Sequence, residues 1–282
     1  MSSLFDESAS KIPDGFIYSS ADNIKTKIAG FKQDGVDQLQ IVLDFDRTLT
    51  EKHNQDSTSW QLMRTHLPPE GQIEAQKVFD HYRAIEIAEK LTADDAVAWW
   101  SESMTIITKY RLDISDVERD FISRSTIRPG ARELFELCIE HNIPTIIMSA
   151  GIKDVIQIWC ASYDIHPTMI LSTELRVDSQ NRVIGWNEDT IVHTLNKKEI
   201  DHPELSKIRA ERSHTVLAGD SMHDFDMADG DDTVVRIRIV DTLQGQERDQ
   251  HVVRQKSLDV FDAIIEDGTL YPIVALIKDI VT

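Results

Sequence analysis

Short apolar runs alternate with amphipathic stretches along most of the chain. The mostly apolar run Leu39-Gln40-Ile41-Val42-Leu43 is followed directly by acids and threonines, which is typical of a buried strand whose end carries polar groups. The segment 178–181 (DSQN) separates two strand-like runs and predicts a hairpin. The remaining predicted strands are also short and apolar, and they span residues 144–148, 169–175, 183–186, 215–219 and 234–240.

Helical periodicity dominates the stretch from Ile73 to Ser125. Within it, Ser115 precedes acids in a first turn and therefore predicts the N-cap of a helix. Two faces at helical spacing are formed by Ala75, Val78, Phe79 and Tyr82, and by Ala96, Trp99, Trp100 and Ser103. Further helices are predicted at residues 131–141, from Gly151 onward, around 258–265 and at 271–280.

Strands that alternate with helices predict an α/β fold, in which helices cover both faces of a parallel sheet. Ligands of such sheets bind beyond the carboxyl ends of the strands. We therefore expect a site formed by the residues that follow Leu43, Met148 and Gly219. The helical stretch 51–127 is then an insertion into this domain.

Charge and composition exclude several classes of protein. Among 282 residues, 49 are Asp or Glu and 30 are Lys or Arg, which gives a formal net charge of −19. This excess of acid repels polymeric nucleic acid and anionic membrane surfaces, but it allows a small phosphorylated substrate beside a local cation. The sequence predicts neither a membrane span nor a secretory signal. Cys138 and Cys160 lie within apolar patterns and are expected to be buried thiols in a reducing compartment.

Two carboxylates, Asp44 and Asp46, follow the first of these strands. In an extended segment, side chains two residues apart share one side. Two neighbouring carboxylates repel each other unless a cation lies between them or one of them is protonated. A bound Mg²⁺ and a substrate phosphate would account for the pair, and a polar turn is the alternative interpretation.

Residues suited to phosphate binding occur at two further places. Ser149, Ala150 and Gly151 combine a hydroxyl group with backbone N–H groups that can hold phosphate oxygens, and an ordinary helix cap has the same composition. Lys197 and Lys198 precede the strand predicted at residues 215–219, and a lysine there would neutralise a phosphate. The alternative is that both lysines belong to the solvated surface.

Asp220 and Asp224 follow the strand predicted at residues 215–219. Asp220 stands where that strand ends and can complete an oxygen site for a hard cation. Asp224 begins a predicted helix and is either an N-terminal acid of that helix or a group of the site. Because all these polar groups follow predicted strands, their joint occurrence favours one phosphate-handling site over unrelated turns.

These residues resemble the motifs of a known superfamily. Residues 43–50, 149–151 and 219–224, together with Lys197, resemble the four motifs of haloacid dehalogenase superfamily phosphatases. Longer segments resemble the cytosolic 5′-nucleotidase III family of pyrimidine and 7-methylguanosine 5′-nucleotidases, namely 148–155 (MSAGIKDV), 195–197 (LNK) and 219–230 (GDSMHDFDMADG). The segments 82–87 (YRAIEI) and 99–103 (WWSES) resemble the cap segments that hold the base in that family.

The resemblance implies a Rossmann-like core with a parallel sheet, formed by residues 1–50 and 128–282. It also implies a helical cap at residues 51–127 that determines substrate specificity.

Catalytic roles also follow from the resemblance. Asp44 is expected to be the nucleophile that forms an aspartyl-phosphate. Asp46 is expected to donate a proton to the leaving ribose oxygen and later to activate water. Mg²⁺ is expected to bind Asp44, the backbone carbonyl of Asp46 and Asp220, with Asp224 supporting the metal shell. The residues expected to bind phosphate are Ser149, Ala150, Gly151 and Lys197.

The base is expected to contact Glu86, Trp100 and Ser103, again by resemblance. A tryptophan and an acid suit a 7-methylguanine base, whose positive charge favours stacking on the ring and pairing with the carboxylate. Ordinary packing of the cap is the alternative for the tryptophans. The sequence departs from the family pattern at Arg47, where an apolar residue is expected, and at Arg83, which replaces an expected aromatic residue.

The sequence therefore predicts a cytoplasmic, Mg²⁺-dependent 5′-nucleotidase that acts on a small-molecule nucleoside monophosphate. It is expected to bind neither polymeric nucleic acid nor membranes, and to be a monomer or a weak dimer. In one alternative, the protein has the same core but acts on another small phosphate monoester, such as a phosphoserine-like or sugar phosphate. A non-catalytic phosphate-binding protein is a third hypothesis, which is disfavoured because all the predicted motif residues are present.

Overall fold

A computed structural model describes residues 12–51, 58–197, 202–231, 233–241 and 247–282, with only the backbone of residues 247–249. Lys198 lies outside the described residues. The strands within the described residues are β1 Phe16–Tyr18, β2 Leu39–Leu43, β3 Thr145–Ile152, β4 Met169–Thr173, β5 Leu175–Val177, β6 Val183–Trp186, β7 His214–Gly219, β8 Thr233–Ile239 and β9 Ala263–Ile265.

The α-helices follow the amphipathic stretches of the sequence. Within the same described ranges they are α1 Ala21–Asp34, α2 Ser59–Thr65, α3 Pro69–Ile87, α4 Ala93–Lys109, α5 Ile114–Arg124, α6 Ala131–Glu140, α7 Lys153–Ser162, α8 Pro203–Glu211, α9 Glu247–Leu258 and α10 Tyr271–Val281. None of the helices in the described part of the chain is long and apolar enough to cross a membrane.

One large sheet has the strand order β1-β9-β8-β7-β2-β3-β4. The pairs β7–β8, β8–β9 and β3–β4 are parallel, and β1 joins β9 in the antiparallel direction. Every residue of β2 and of β7 is buried, as is typical of parallel strands covered on both faces. The predicted α/β fold with a mostly parallel sheet is therefore confirmed. The strands predicted at residues 39–43, 183–186, 215–219 and 234–240 are confirmed to within one residue.

The chain divides into two compact units. The first consists of Met1–Val42, Arg128–Thr145 and Asp201–Thr282, and the second of Leu43–Ile127 and Ile146–Ile200. In the first unit, α10 packs against α6 and α1, and α1 also packs against β8. In the second unit, α3 packs on α4, α2 on both α3 and α5, and α5 on α7. The division into a core and a cap at residues 51–127 stays a prediction.

Strand β3 runs further than expected, and the prediction that Gly151 opens a helix is wrong. Helix α7 begins only at Lys153, and Ile152 still pairs with β4. The pairing register shifts between Met148 and Ile152, so residues 149–151 form an irregular segment inside the strand. Such bulges re-aim side chains and are frequent beside active sites. Pairing with β4 on both sides keeps this segment in the sheet.

Two other local predictions are wrong. Helix α5 is capped by Asp113 and not by Ser115, because the Asp113 carboxylate accepts the backbone N–H of Ser115 at 3.1 Å. The helix predicted around residues 258–265 is instead the end of α9 followed by β9. A short apolar run fits a buried strand as well as a helix, and here pairing with both β8 and β1 favours the strand.

The run 169–175 divides between β4 of the large sheet and β5 of a separate two-stranded sheet. Strands β5 and β6 are antiparallel, which confirms the predicted hairpin. Both cysteines are free and buried, as predicted. Burial raises the pKa of Cys138 and of Cys160 to about 12, so both thiols are protonated at physiological pH.

Candidate active site

Asp44 lies directly after β2, at the start of a tight turn, and its side chain is buried. The backbone N–H groups of residues 48–50 all donate to the carbonyl oxygen of Phe45, at 2.9 to 3.3 Å. Phe45 itself is buried against Phe121 and Trp159, with ring centroids 5.9 and 5.0 Å away. The buried ring therefore anchors the turn that carries the first two predicted acids.

Lys197 and Asp44 form a buried ion pair. Lys197 Nζ lies 2.6 Å from Asp44 Oδ1, and the two side chains are only 4% and 8% exposed. Thr48 Oγ1 donates to the other carboxylate oxygen of Asp44 at 3.5 Å. Since removing two charges from water is costly, such a pair persists only where attraction and further hydrogen bonds offset the desolvation. The fold thus brings together two predicted site residues that are 153 positions apart in sequence.

The turn before Lys197 is held by the side chain of Asn196. Its Oδ1 accepts the backbone N–H of His193, and its Nδ2 donates to the carbonyl oxygen of Ile191, both at 2.8 Å. The imidazole of the buried His193 accepts the backbone N–H of Leu195 at 3.2 Å. These bonds close a compact turn, so the lysine leaves the backbone from a fixed position.

Asp46, the second predicted acid, is partly buried. Burial raises its pKa to about 6, although the positive charges of Arg47 and Lys197 act in the opposite direction. A carboxyl group in this range can both give and accept a proton near neutral pH. Arg47 has a φ of 62°, a left-handed conformation that is uncommon for a residue with a side chain.

Polar groups converge around Gly151 in the irregular segment of β3. Its backbone N–H donates to Ser149 Oγ at 3.0 Å. A methyl group on residue 151 would lie 3.1 Å from Ser149 Oγ, 3.2 Å from Ser59 Oγ and 3.7 Å from Asp46 Oδ2. The missing side chain of Gly151 therefore leaves a small space bordered by two hydroxyl groups and a carboxylate.

Ser59 and Trp60, at the start of α2, were missed by the sequence analysis. The Ser59 hydroxyl is buried and has no hydrogen-bond partner among the described residues. The Trp60 indole N–H donates to the carbonyl oxygen of Ala150 at 2.7 Å, and the Trp100 indole N–H reaches the same oxygen at 3.3 Å. A serine and a tryptophan at a helix start carry no motif, so only the contacts identify them.

The residues predicted to contact a base lie on α3 and α4. Ser103 is a partly buried residue of α4. Trp99 of α4 stacks on Tyr82 of α3 with ring centroids 5.8 Å apart and an interplanar angle of 15°. The Glu86 carboxylate forms an ion pair with Arg83, one turn earlier on α3. The arginine that departs from the family pattern thus partly neutralises the acid predicted to bind the base.

Asp220 and Asp224 lie in the first unit, beyond the end of β7. Asp220 follows the strand directly, as predicted. Asp224 is buried and is the third residue of a short 3-10 turn, so the prediction that it begins a helix is corrected. Its Oδ2 accepts the backbone N–H of Ser221 at 2.9 Å. A Cβ atom on Gly219 would lie 2.4 Å from Asp224 Cβ, so only glycine allows this close packing.

Arg238 of β8, in the first unit, is a further residue that the sequence analysis missed. Its Nε donates to the backbone carbonyl of Asp220 at 3.0 Å, and its Nη1 donates to Ser257 Oγ at 2.7 Å. Burial lowers the pKa of Arg238, whereas the negative charges of Asp220 and Asp224 act to raise it. The Arg238 guanidinium therefore offsets the negative charges of Asp220 and Asp224.

Asp44 of the second unit and Asp220 and Asp224 of the first unit all carry carboxylate groups. Carboxylate oxygens are the ligands that hard cations such as Mg²⁺ and Ca²⁺ prefer. The chemistry of these donors fits the Mg²⁺ that the sequence predicts.

The chain matches a known protein family and relatives from several animals. The family model described as pyrimidine 5′-nucleotidase (UMPH-1) matches residues 47–281, starting directly after Asp46. The 7-methylguanosine phosphate-specific 5′-nucleotidase A of Xenopus laevis is 27% identical over 271 residues, which cover 87% of this chain and 92% of that protein. The 7-methylguanosine phosphate-specific 5′-nucleotidase of Gallus gallus is 27% identical over 259 residues, with coverage of 86% and 88%.

Solved structures share the fold. The crystal structure of cytosolic 5′-nucleotidase IIIB bound to cytidine has a TM-score of 0.78 at 24% identity, and the match covers 95% of this chain and 94% of that chain. A phospho-aspartyl intermediate analogue of phosphoserine phosphatase has a TM-score of 0.53 at 19% identity, with coverage of 84% and 97%. These likenesses show the haloacid dehalogenase fold.

Proposed function

The chain belongs to the pyrimidine 5′-nucleotidase family, whose members hydrolyse phosphate monoesters, and we propose that it converts nucleoside 5′-monophosphates to nucleoside and orthophosphate. The observation that carries the proposal is the family match over residues 47–281. We propose a substrate of the pyrimidine or 7-methylguanosine type. The matched relatives are named for 7-methylguanosine phosphate, and the matched structure is named as bound to cytidine.

In the first proposed step, a carboxylate oxygen of Asp44 attacks the phosphorus atom of the substrate. The bond from phosphorus to the ribose 5′ oxygen breaks, and the Asp46 carboxyl group gives its proton to that oxygen. The product is an aspartyl-phosphate on Asp44 and a free nucleoside. Covalent catalysis of this kind divides one difficult hydrolysis into two easier displacements.

In the second proposed step, Asp46 takes a proton from a water molecule, and the water oxygen attacks the phosphorus of the aspartyl-phosphate. Orthophosphate leaves and the Asp44 carboxylate is restored. In both steps Lys197 and the groups of residues 149–151 hold the oxygens of the phosphoryl group. Positioning and neutralisation of these oxygens provide most of the catalysis in phosphoryl transfer.

We propose that Mg²⁺ is held by Asp44, the backbone carbonyl of Asp46 and Asp220, with Asp224 in support. The chemistry of these groups supports the proposal, because Mg²⁺ prefers carboxylate and carbonyl oxygens as ligands. When bound, the metal would neutralise charge on the transferred phosphoryl group. Lys197 is already paired with Asp44 and would hold the phosphate from the protein side.

For the base, we propose contacts with Glu86, Trp100 and Ser103, and a cap formed by residues 51–127 that selects the substrate. The stacked aromatic side chains of α3 and α4 support a site for a flat ring. We further propose a cytoplasmic protein, in line with relatives named as cytosolic 5′-nucleotidases. We also propose that it is a monomer or a weak dimer.

Phosphate release from a panel of monoesters tests this function. The panel contains CMP, UMP, GMP, AMP and 7-methyl-GMP, together with phosphoserine and glucose 6-phosphate. We expect fastest turnover with CMP, UMP or 7-methyl-GMP, loss of activity in EDTA, and recovery on adding Mg²⁺. The Asp44→Asn variant serves as the control for contaminating phosphatases and is expected to be inactive.

Two outcomes would contradict the proposal. Faster turnover of phosphoserine or the sugar phosphate than of every nucleotide would favour the other small-monoester hypothesis. Nucleotide binding that raises the melting temperature without any turnover would favour a non-catalytic binding protein.

A further inference from the structure

Two tryptophan side chains hold one backbone carbonyl of the phosphate-binding segment. The indole N–H groups of Trp60 and Trp100 donate to the carbonyl oxygen of Ala150 at 2.7 and 3.3 Å. A carbonyl oxygen has two lone pairs and can accept both bonds. The two rings also contact each other edge to face, with centroids 5.4 Å apart and an interplanar angle of 69°. All of these residues belong to the second unit.

The carbonyl belongs to the peptide that joins Ala150 to Gly151. Because a trans peptide is planar, its N–H points away from its carbonyl oxygen. That N–H donates to Ser149 Oγ at 3.0 Å. Fixing the carbonyl therefore fixes the direction of the Gly151 N–H, and through it the position of the Ser149 hydroxyl oxygen.

The hydrogen bonds run in series, from indole to carbonyl and from amide to hydroxyl. Bonds in such a chain polarise one another, so a donor on the carbonyl strengthens the amide as a donor. Ser149 Oγ accepts the Gly151 N–H, and its own proton is then available for another acceptor. An anionic phosphoryl oxygen would be a strong acceptor for that proton.

We infer that Trp60 and Trp100 are positioning residues that hold the Ala150–Gly151 peptide so that the Ser149 hydroxyl donates to the transferred phosphoryl group. This inference rests on the proposed function. It links α2 and α4, which carry the tryptophans, to the segment that binds the phosphate. The competing explanation is that the indoles only pack, since a buried indole N–H usually finds some acceptor.

Substitutions at Trp60 separate the hydrogen bond from packing. Trp60→Phe removes the N–H and keeps an aromatic ring. Trp60→His can restore a donor, because imidazole Nε2 is separated from Cγ by the same number of bonds as indole Nε1. The matched control is Trp186→Phe, in which the lost N–H has no hydrogen-bond partner among the described residues.

We expect Trp60→Phe to lower kcat by ~5-fold with a smaller change in KM. A loss of this size corresponds to one ordinary hydrogen bond that is stronger in the transition state than in the bound substrate. Trp60→His should recover most of this loss, and Trp186→Phe should leave kcat unchanged. If Trp60→Phe does not fold, Trp100→Phe takes its place, and the Gly151 amide resonance is then the deciding readout because Trp100 is also proposed to contact the base. Its smaller expected effect follows from the longer bond.

A double-mutant cycle with Ser149→Ala tests the connection itself. If the tryptophan acts through Ser149, Trp60→Phe has no further effect on kcat in the Ser149→Ala background. Independent, multiplying losses in the double variant would overturn the inference, because they would mean that the indole supports the site only by packing.

The amide resonance of Gly151 in a ¹⁵N–¹H spectrum provides a readout that does not depend on activity. We expect it to shift to lower proton frequency in Trp60→Phe and to stay in place in Trp186→Phe. An unshifted resonance in Trp60→Phe would overturn the inference. If the wild-type protein hydrolyses none of the monoesters, the proposed function fails, while this resonance still decides whether the tryptophans polarise the peptide.

Discussion

Lys197 Nζ lies 2.6 Å from Asp44 Oδ1, and both side chains are buried. The two residues stand in different loops of one unit, and Asn196 fixes the turn from which the lysine extends. A carboxylate that is to attack an anionic phosphate needs a neighbouring cation, because bare negative charges repel each other. The same ammonium group can hold the phosphoryl oxygens that arrive beside Asp44.

Removing the Lys197 ammonium should damage both stability and activity. Lys197→Met leaves the Asp44 carboxylate without this partner, and breaking a buried pair in this way costs about 3 kcal/mol. We expect kcat to fall by ~100-fold or more, as on loss of one preorganised charge contact. Urea unfolding and phosphate release measure the two effects.

The double variant Asp44→Asn/Lys197→Met separates the effect on stability from the effect on activity. Because neither buried charge remains, we expect a higher free energy of unfolding than in Lys197→Met alone, with activity still absent. A Lys197→Met protein that is as stable and as active as the wild type would contradict the assigned role of this pair.

A methyl group at Gly151 should impair activity more than stability. Gly151→Ala places its new carbon 3.1 Å from Ser149 Oγ and 3.2 Å from Ser59 Oγ, in the space proposed for phosphate. The matched control is Gly30→Ala in α1, where a Cβ would have no neighbour within 4 Å. We expect Gly30→Ala to be fully active and more stable by ~1 kcal/mol. Equal activity of both variants would show that the space around residue 151 is not used.

Arg83 should influence which base is preferred. Its ion pair with Glu86 is partly exposed, and such pairs contribute about 0.2–1 kcal/mol. Arg83→Ala removes the positive charge that compensates Glu86, so we expect the ratio of kcat/KM for 7-methyl-GMP to that for CMP to rise by ~2- to 5-fold. The same substitution in a Glu86→Gln background should leave the ratio unchanged, and a rise there would exclude action through Glu86.

The buried thiols should make stability fall at alkaline pH. Cys138 and Cys160 have a pKa of about 12 in the folded protein, compared with an ordinary value of 9.0. Above pH 9 the unfolded chain releases these protons while the folded chain keeps them, so ionisation favours unfolding. We expect the double variant Cys138→Ala/Cys160→Ala to lose less stability than the wild type between pH 9 and pH 10.5.

Thiol labelling tests the burial of Cys138 and Cys160 independently of protein stability. At pH 8 a disulfide reagent should react with neither cysteine in the folded protein and with both in urea. Rapid labelling of the folded protein would contradict the burial of these groups.

Several parts of the fold follow from local patterns. Strands β2 and β7 are mostly apolar runs that are followed directly by an acid, so their pattern indicates both the strand and its polar end. The segment at Gly151 does not follow from its own residues, because pairing with β4 determines that it stays extended. Strand β9 is likewise decided by its pairing with β8 and β1, which lie far away in sequence.

The candidate site likewise contains some residues that motifs predict and others that only the folded structure identifies. Asp44 and Lys197 were predicted from motifs, and their contact depends on the way the chain brings two distant loops together. Trp60 escaped prediction because its contact is a hydrogen bond to a backbone carbonyl, and every residue carries such an acceptor whatever its side chain. The neutralisation of Glu86 by Arg83, by contrast, follows from helical spacing once α3 is known.

Trapping the covalent intermediate tests the central claim most directly. The protein is mixed with excess substrate and Mg²⁺, quenched in acid within milliseconds, digested and examined by mass spectrometry. We predict one added phosphoryl group on the peptide that contains Asp44, absent in Asp44→Asn and absent when EDTA replaces Mg²⁺. Turnover without any phosphoryl group on Asp44, or a phosphoryl group that persists on that peptide in Asp44→Asn, would contradict the account.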